Sequence, residues 1–253
     1  MSKAKKVNIF SVKDKIVIIT GSSQGNGFAI AKGFIENGSY VCGIDIKKPK
    51  DSSLIKSNRF NFFECDLSDD ISILDVVKKI KKKYKKIDVL VNNAGISLPL
   101  RTGLKQFDDW DTTHRVNLRA PFFLSSNLIS AFKRGGSIIN ITSLGSLLGF
   151  PDNPSYISSK GGLKMLTKSL AVDFGKRGVR VNNILPGYIK TSMTKGSYLN
   201  GELKQERDNR MIMNRWGNSS DLVGPCIFLA SDSSSYITGS DIIVDGGWTA
   251  KGL

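Results

Sequence analysis

Residues 15–27 read KIVIITGSSQGNG, a pattern that sets the expectation for the whole chain. The apolar, β-branched run to Thr20 is typical of a strand buried in a parallel sheet. Glycines follow at positions 21, 25 and 27, and a helical pattern then opens at Phe28 and runs to a favourable helix end at Asn37-Gly38. Amides beside glycines can approach a pyrophosphate closely, and the start of a helix adds the positive end of its dipole. The stretch therefore predicts a site for a dinucleotide.

A second strand-like run, Tyr40 to Asp45, ends in an acid. It stands at about the 20-residue offset at which a carboxylate binds the adenosine ribose of a dinucleotide. Asp45 can accept hydrogen bonds from both ribose hydroxyls and repels a 2′-phosphate, and Gln24 offers no compensating charge. We therefore expect NAD(H) to be preferred over NADP(H), with Lys47 and Lys48 as the side chains that could counter this preference.

Strand-like and helical patterns alternate along the rest of the chain. Further strand-like runs occupy residues 60–63, 87–91, 138–141, 179–184 and 241–244. Helical patterns lie between them, at about 71–84, 112–132, 155–176 and 220–230. This alternation predicts an α/β protein with a Rossmann-type, doubly wound parallel sheet and helices on both faces. We expect residues 1–253 to form a single domain.

A tyrosine and a lysine, Tyr156 and Lys160, are spaced to lie one turn apart on the same face of a helix. A cation in that position favours the phenolate, so it is expected to lower the pKa of the tyrosine from about 10. Such a tyrosine can exchange a proton with an alcohol or a ketone near neutral pH. Ser143, upstream in the sequence, would hydrogen-bond the same substrate oxygen.

Together these segments resemble the short-chain dehydrogenase/reductases over nearly the whole chain, from about Val12 to Trp248. The motifs that carry the resemblance are the loop Thr20-Gly21-xxx-Gly25-x-Gly27, Asp66-Leu67, Asn92-Asn93-Ala94-Gly95, Asn117, the Ser143/Tyr156/Lys160 set, and Pro186-Gly187 with Thr191. One position departs from the family pattern, since Asn26 stands where relatives usually carry Ile or Leu. We expect Asn26 to contribute mainly its backbone, so cofactor binding should survive.

The resemblance implies a role for each of these segments. The catalytic residues would be Asn117, Ser143, Tyr156 and Lys160. Cofactor contacts would come from a larger set: Gly21, Ser23, Gln24, Gly25, Asn26, Gly27, Asp45, Ile46, Asp66, Leu67, Asn93, Ala94, Gly95, Tyr156, Lys160, Pro186, Gly187, Ile189 and Thr191. Tyr156 would remove the hydroxyl proton while hydride passes to the nicotinamide, Lys160 would bind the nicotinamide ribose, and Asn117 would hold a water that links Lys160 to solvent.

The substrate is expected to be a small polar alcohol or ketone. Arg215-Trp216-Gly217 and Asp245-Gly246-Gly247-Trp248 resemble the dehydrogenases of gluconate and related sugar acids or polyols. An irregular segment, residues 187–216, would be the substrate lid, and Lys190 and Lys195 could meet a carboxylate as it enters.

Two other functions remain open from the sequence. A 3-oxoacyl carrier-protein reductase would use Arg134 and Arg177 to dock its acidic carrier, although Asp45 argues against it because those reductases generally prefer NADP(H). A non-catalytic nucleotide-binding module would keep the fold, but the intact catalytic set argues against it.

The net charge of +15 raises the question of a nucleic-acid partner. The densest lysine run, residues 78–86, alternates with apolar residues at helical spacing, which predicts the solvated face of an amphipathic helix rather than a binding patch. We therefore expect no nucleic-acid partner. No signal peptide or membrane-spanning stretch is recognisable, so no membrane partner is expected. The resemblance further implies a homotetramer, because relatives pair the helices that carry the catalytic residues.

Cys42, Cys65 and Cys226 have no spacing that suggests disulfides or a zinc site. We expect them to be buried thiols of a cytoplasmic protein. The single histidine, His114, is expected to be structural, and no metal site is predicted.

Overall fold

Seven apolar runs form one parallel sheet in the computed structural model, which describes residues 8–98 and 102–251. The strands are β1 Ile16–Thr20, β2 Tyr40–Asp45, β3 Phe60–Glu64, β4 Ile87–Asn92, β5 Phe132–Ile141, β6 Arg180–Pro186 and β7 Asp241–Val244. Every strand predicted from the sequence is present, and β5 begins six residues earlier than predicted (132 against 138).

The strand order is β3-β2-β1-β4-β5-β6-β7. Strand β1 lies inside the sheet and pairs on both sides, with its Val17 beside Val41 of β2 and Val89 of β4. The chain therefore winds outward from β1 in one direction as far as β3 and then resumes on the other side at β4. In such sheets a crevice opens beyond the carboxyl ends of the two strands at the reversal, and ligands bind there. The predicted doubly wound fold is confirmed.

Helices cover both faces of this sheet. They are α1 Gly25–Glu36, α2 Ser52–Ile55, α3 Asp70–Lys83, α4 Leu104–His114, α5 Ala120–Leu128, α6 Pro154–Gly175, α7 Lys195–Leu199, α8 Gly201–Arg210 and α9 Val223–Ala230. Buried residues of α3, α5 and α6 pack together on one face, and those of α1 and α9 pack on the other. None of the helices in the described residues combines the length and apolarity needed to cross a membrane.

The strands read as continuous apolar runs because both of their faces are buried. Along β1, Ile18 belongs to the cluster under α3 and α5, whereas Val17 and Ile19 belong to the cluster under α1 and α9. All three are fully buried. Burial of each such side chain contributes about 1.5–3 kcal/mol relative to exposure, so the sheet centre anchors the fold.

The lysine-rich helix α3 also matches its prediction. Asp69 caps its start by accepting from the amides of Ile71 and Ser72, and the apolar side chains at Val76, Val77 and Ile80 are buried. The lysines therefore lie on the solvent side.

The prediction of one continuous helix over residues 112–132 is wrong. Helix α4 begins earlier, at Leu104, and a π-helical turn, Arg115–Arg119, separates it from α5. Pro121 gives the physical reason, because its nitrogen carries no hydrogen to donate to the carbonyl of Asn117. The α-helical ladder is interrupted there, and the π turn places Asn117 in the interior, fully buried.

Candidate active site

The glycine loop after β1 leaves room for a diphosphate. A Cβ atom built on Gly27 would lie 2.0 Å from the carbonyl oxygen of Gly21, so only glycine fits. Gln24 precedes α1 without making a side-chain cap hydrogen bond, and the first turn of α1 contains no acid. The free amides at the start of α1 therefore remain available for an anionic ligand, as dinucleotide phosphates require.

Asp45 is held in place by the backbone of this loop. Its Oδ2 accepts from the amide of Ser23 at 2.9 Å, and its Oδ1 accepts from its neighbour Ile46 at 2.8 Å. Each carboxylate oxygen keeps a further lone pair for a ribose hydroxyl. Lys47 and Lys48, the two lysines that could bring positive charge, are exposed and do not line the cleft next to Asp45.

A cleft of about 390 Å³ runs from this loop across the carboxyl ends of β1, β2 and β4. It gathers most of the sequence-predicted cofactor residues: Gly21, Gln24, Gly25, Asn26, Asp45, Ile46, Asp66, Leu67, Asn93, Ala94, Gly95 and Thr191. Ser23 and Gly27 belong to the same loop but lie behind this lining. The residues present thus fit a dinucleotide, which supplies the hydride acceptor or donor when bound.

The end of β4 is tied to the glycine loop by Thr20. The Thr20 hydroxyl accepts from the amides of Asn93 and Ala94, both at 3.0 Å, and the Asn93 side chain donates to the Thr20 carbonyl at 2.9 Å. Asn93 therefore fixes the shape of the cleft through its side chain. Thr20 belongs to the glycine-loop motif, but the motif does not predict these hydrogen bonds to the end of β4.

A smaller cavity of about 110 Å³ adjoins the cleft and brings the predicted catalytic side chains together. Ser143, Tyr156 and Lys160 line it. The other predicted cofactor residues also lie on its wall: Pro186, Gly187, Ile189 and Thr191. Ser143 follows the end of β5, and Tyr156 and Lys160 lie in the first two turns of α6.

Lys160 is a buried cation. Its Nζ donates to the carbonyl of Ile141 at 2.8 Å, and no carboxylate of the described residues forms an ion pair with it. Burial lowers the pKa of Lys160 to about 8, because the charged form loses its hydration. A Cβ atom on Gly95 would lie 3.2 Å from this Nζ, so the lysine faces the Asn93-Ala94-Gly95 segment that borders the cofactor cleft.

The prediction of a lowered tyrosine pKa is wrong for the ligand-free protein. Burial raises the pKa of Tyr156, and the hydrogen bond with Ser143 offsets only part of that rise. Lys160 does not reverse it, since its Nζ binds the Ile141 carbonyl and lies 5.8 Å from the centroid of the Tyr156 ring. Desolvation therefore outweighs the charge of the lysine.

The side chain of Asn117 is hydrogen-bonded to the segment after Gly95. Its Oδ1 accepts from the amide of Ile96 at 2.8 Å, and its Nδ2 donates to the Ile96 carbonyl and to Ser159 Oγ, at 2.9 and 3.0 Å. Both amide hydrogens are thus used, but Oδ1 lies near Lys160, since a Cβ atom built on Gly95 would be 3.3 Å from Oδ1 and 3.2 Å from the Lys160 Nζ. The water that would link Asn117 and Lys160 to solvent stays a prediction. The two hydrogen bonds to Ile96 hold the π turn against the segment that follows Gly95.

Asn26, the departure from the family pattern, also contributes a side-chain contact. Its Oδ1 accepts from Ser219 Oγ at 2.8 Å, and the residue lines both the cleft and the small cavity. The expectation of a mainly backbone contribution is therefore incomplete. Ser219 had no motif to mark it in the sequence.

A third cavity, of about 350 Å³, extends from Tyr156 beneath the segment predicted as a lid. That segment contains the short helices α7 and α8, and its base is closed by a bridge between Ile189 and Gly217. An aromatic cluster holds it to the body of the protein: Leu144, Met211, Trp216 and Trp248, with Phe150, Tyr188 and Tyr198 packed against them. Trp216 of the Arg215-Trp216-Gly217 motif thus belongs to the cluster that anchors this segment. Arg215 forms an ion pair with Asp221, with its Nη1 2.9 Å from the carboxylate Oδ2.

The side chains that face the third cavity include two that sequence reasoning missed, Asn153 and Arg207. Asn153 directly precedes α6, and Arg207 is one of several charged residues of α8. Neither carries a signal that separates it from its neighbours. Lys190 and Lys195, which were expected to meet a carboxylate, are exposed and do not line the cavity.

His114 lies outside these three cavities. His114 stacks on Trp110, with ring centroids 4.4 Å apart, and its ring nitrogens contact the Trp110 carbonyl and Ser158. All three cysteines are free and buried. Within residues 8–98 and 102–251, no group of His, Cys, Asp or Glu side chains is arranged to hold a metal ion.

The family model described as "Enoyl-(Acyl carrier protein) reductase" matches residues 21–249. The chain belongs to the short-chain dehydrogenase/reductase family. It is an oxidoreductase that acts on CH–OH groups with NAD(P) as the acceptor. The family resemblance drawn from the sequence is confirmed.

Relatives within the family differ in the substrates that their names give. The 2-dehydro-3-deoxy-D-gluconate 5-dehydrogenase of Pseudoalteromonas atlantica is 34% identical over 96% of this chain and 98% of its own length. The 3-oxoacyl-(acyl-carrier-protein) reductase of Chlamydia pneumoniae is 37% identical over 93% of this chain and 97% of its own. The solved structure of a putative NAD(P)-dependent gluconate 5-dehydrogenase from Beutenbergia cavernae, with bound NADP at low occupancy, superposes with a TM-score of 0.88 at 31% identity, covering 96% of this chain and 100% of that one.

Proposed function

We propose that this enzyme is an NAD-dependent dehydrogenase of small hydroxy acids, with sugar acids as the first candidates. The observation that carries the proposal is the position of Tyr156, between the dinucleotide cleft and a separate cavity whose size suits a small ligand and whose lining includes several polar side chains. The gluconate-type relatives support the choice of substrate class.

The catalytic roles follow from the positions of the side chains. A substrate hydroxyl in the 350 Å³ cavity would lie against Tyr156 and Ser143, both of which line it. Tyr156 takes the hydroxyl proton as a phenolate in the oxidation direction and gives a proton to the ketone as a phenol in the reverse direction, and Ser143 hydrogen-bonds the same oxygen. Lys160 has two ammonium hydrogens left after its bond to Ile141, and these would bind the nicotinamide ribose and bring a positive charge near the phenol.

NAD(H) is proposed as the preferred cofactor because Asp45 lines the cleft with no cation of the described residues opposite it. Like charges placed together cost several kcal/mol at a binding site, so a 2′-phosphate is disfavoured. The Beutenbergia relative holds NADP, which makes the comparison of the two cofactors a necessary measurement for this chain.

The carrier-protein reductase is the second candidate, supported by its relative from Chlamydia pneumoniae. The two arginines that would dock a carrier, Arg134 and Arg177, are exposed near the amino ends of β5 and β6. The catalytic side chains lie at the opposite, carboxyl edge of the same sheet. A carrier docked at these arginines would therefore not face the cavity mouth of the same subunit, and we place this function second.

We further propose a homotetramer in the cytoplasm. Helices α4, α5 and α6 carry exposed apolar side chains, among them Phe107 at 68%, Phe122 at 42% and Val172 at 76% exposed. Burial of such side chains would favour a subunit contact on these helices. The free, buried cysteines are compatible with a reducing compartment. Light scattering at micromolar concentration should show a mass near four times 27.7 kDa, and a 27.7 kDa species alone would contradict the tetramer.

The test of the catalytic proposal is a substrate screen with the purified enzyme. Aldonic and keto-aldonic acids, neutral polyols and 3-oxoacyl thioesters would each be offered with NAD(H) and with NADP(H). We expect turnover of at least one acid with NAD(H). Efficient turnover of the thioesters, without any acid or polyol, would select the carrier-protein reductase instead.

A further inference from the structure

Two buried polar atoms at the substrate cavity have no hydrogen-bond partner among the described residues. They are Nη1 of Arg207 and Oδ1 of Asn153. Both residues line the 350 Å³ cavity together with Ser143 and Tyr156. An unsatisfied buried polar group costs about 1–3 kcal/mol, and a charged one costs more. A donor and an acceptor left open at the same cavity point to a ligand that completes both.

Arg207 is held so that its donors stay available. Its guanidinium carbon lies 4.7 Å from the centroid of the Tyr188 ring and 6.0 Å from that of Trp216. Such stacking uses the face of the guanidinium, whereas its N–H groups point outward in the plane of the group. No carboxylate of the described residues pairs with Arg207. A planar guanidinium with free in-plane donors is suited to bind a carboxylate through two parallel hydrogen bonds.

Asn153 also has a polar atom, Oδ1, that is available to a ligand. It stands at the N-cap position of α6, where an asparagine side chain typically stabilises the helix by about 1 kcal/mol. Here it makes no cap hydrogen bond. Its Nδ2 donates instead to Ser97 Oγ at 2.9 Å, which leaves Oδ1 free three residues before Tyr156. An amide oxygen in that position accepts from a hydroxyl group.

We propose that Arg207 binds the carboxylate of the substrate and that Asn153 accepts a hydrogen bond from one of its hydroxyl groups. Arg207 then selects acids over neutral polyols, and Asn153 contributes to both. This assignment rests on the proposed function and names the two residues that would recognise its hydroxy-acid substrates. The one carboxylate on the described lining of the cavity belongs to Asp152, which is exposed at the rim.

The first experiment compares Arg207→Met with Arg210→Met. Methionine keeps much of the length and packing of arginine but removes its charge. Arg210 is a matched control, because it lies on the same helix, is exposed, stacks on Trp248 at 5.1 Å and does not line the cavity. Steady-state rates would be measured with D-gluconate and other aldonic acids, and with D-glucitol and other alditols, at saturating cofactor.

We expect Arg207→Met to lower kcat/KM for the acids by about 10²-fold, the scale for losing a hydrogen-bonded charge partner, mainly through KM. Neutral polyols should change by less than about 3-fold, a difference of roughly 0.6 kcal/mol. Arg207→Lys should recover part of the loss, because it restores the positive charge but cannot form the two parallel hydrogen bonds of a guanidinium. Arg210→Met should leave both substrate classes unchanged.

A binding measurement keeps the result independent of turnover. D-gluconate with NADH present should raise the Tm of the wild-type enzyme and of Arg207→Lys, but not of Arg207→Met, although NADH alone still stabilises all three. Equal losses for acids and polyols in Arg207→Met would show a merely structural arginine and overturn the inference, while the dehydrogenase proposal stands.

Asn153→Leu supplies the second arm. Loss of one neutral hydrogen bond should lower kcat/KM by about 3–10-fold, corresponding to roughly 0.5–1.5 kcal/mol, for acids and polyols alike. An effect confined to one class would contradict the assignment of Asn153. A wild-type enzyme that neither turns over nor binds any acid would overturn the proposed function itself, and this outcome is visible before any variant is made.

Discussion

The cofactor cleft and the substrate cavity meet at Tyr156, but they are built from different parts of the chain. The cleft is formed mainly by backbone, namely the glycine loop and the free amides at the start of α1. One side chain, the Asp45 carboxylate, adds to it and is held by two backbone amides. The substrate cavity is lined largely by side chains, among them Tyr188, Asn153 and Arg207. A ligand recognised mainly by backbone tolerates sequence change outside the glycines and Asp45, whereas binding of a ligand recognised by side chains can be changed by single substitutions at many positions.

The contrast also explains why relatives of this chain share a cofactor type and differ in substrate. Met193 illustrates how closely the two regions meet, since it lines the cleft, the small catalytic cavity and the substrate cavity. Only the small cavity that contains Ser143, Tyr156 and Lys160 serves both regions. Substitutions there should affect every substrate, and substitutions on either side should affect only one ligand.

The largest effect is expected at this shared position. Tyr156→Phe removes the hydroxyl that exchanges the substrate proton, so kcat should fall by at least ~10²-fold for every substrate. NADH should still bind, because the cleft does not depend on this side chain. Steady-state kinetics and NADH fluorescence test both statements, with Tyr236→Phe, which is fully exposed, as the control. Retained turnover in Tyr156→Phe would refute the mechanism.

The difference between the cofactor cleft and the substrate cavity also explains which features could be predicted from the sequence. The strand pattern, the glycines and Asp45 are local signals, and each indicates a backbone conformation or a residue at the end of a strand. The seven strands, the glycine loop and Asp45 therefore followed from pattern, whereas most of the other cofactor residues were implied by the family resemblance.

What the sequence could not predict depends on contacts between distant segments. Arg207 becomes available to a ligand only because Tyr188 and Trp216 lie next to it. The π turn at Asn117 reflects a proline four residues later within an otherwise helical pattern. The raised pKa of Tyr156 depends on burial, which spacing along a helix does not reveal.

The second prediction tests the buried charge of the shared region. Lys160 has a pKa of about 8 in the folded protein, below its usual value of 10.5. The unfolded chain therefore binds more protons between these two pH values, so the lysine destabilises the fold below pH 8 and this penalty fades as the pH rises towards 10.5. Lys160→Met should be more stable than the wild type by about 2–3 kcal/mol at pH 7, with the difference shrinking at pH 10.

Urea unfolding of the two proteins at pH 7, 8, 9 and 10 measures this difference directly. Groups common to both proteins, such as the buried cysteines, cancel in the comparison. A difference that stays constant over the whole range would show that Lys160 is not a strained cation in the absence of ligand.

The third prediction concerns the cleft alone. Asp45→Ser removes the charge that would face a 2′-phosphate, so the preference for NAD(H) over NADP(H) in kcat/KM should fall by about 10-fold, or roughly 1.4 kcal/mol. The preference among substrates should not change. Glu64→Gln is a matched control, because Glu64 pairs with Asp45 in the sheet register but does not line the cleft. Equal or better kcat/KM with NADPH in the wild type would contradict the assignment of Asp45.

The smallest effect is expected at the entrance to the substrate cavity. Lys190 and Lys195 are exposed on the segment above it and do not line it, so they can attract an acid but not hold it. Attraction between exposed charges is screened over about 10 Å at 0.1 M salt. For an acid substrate, kcat/KM should therefore fall by about 3-fold between low and high salt, while values for a neutral polyol stay constant.

Replacing both lysines with serine should flatten this salt dependence, whereas the same change at Lys85 and Lys86, exposed at the opposite edge of the sheet, should preserve it. If the salt dependence survives the loss of Lys190 and Lys195, the attraction comes from the overall charge of +15, and the substrate segment has no steering role of its own.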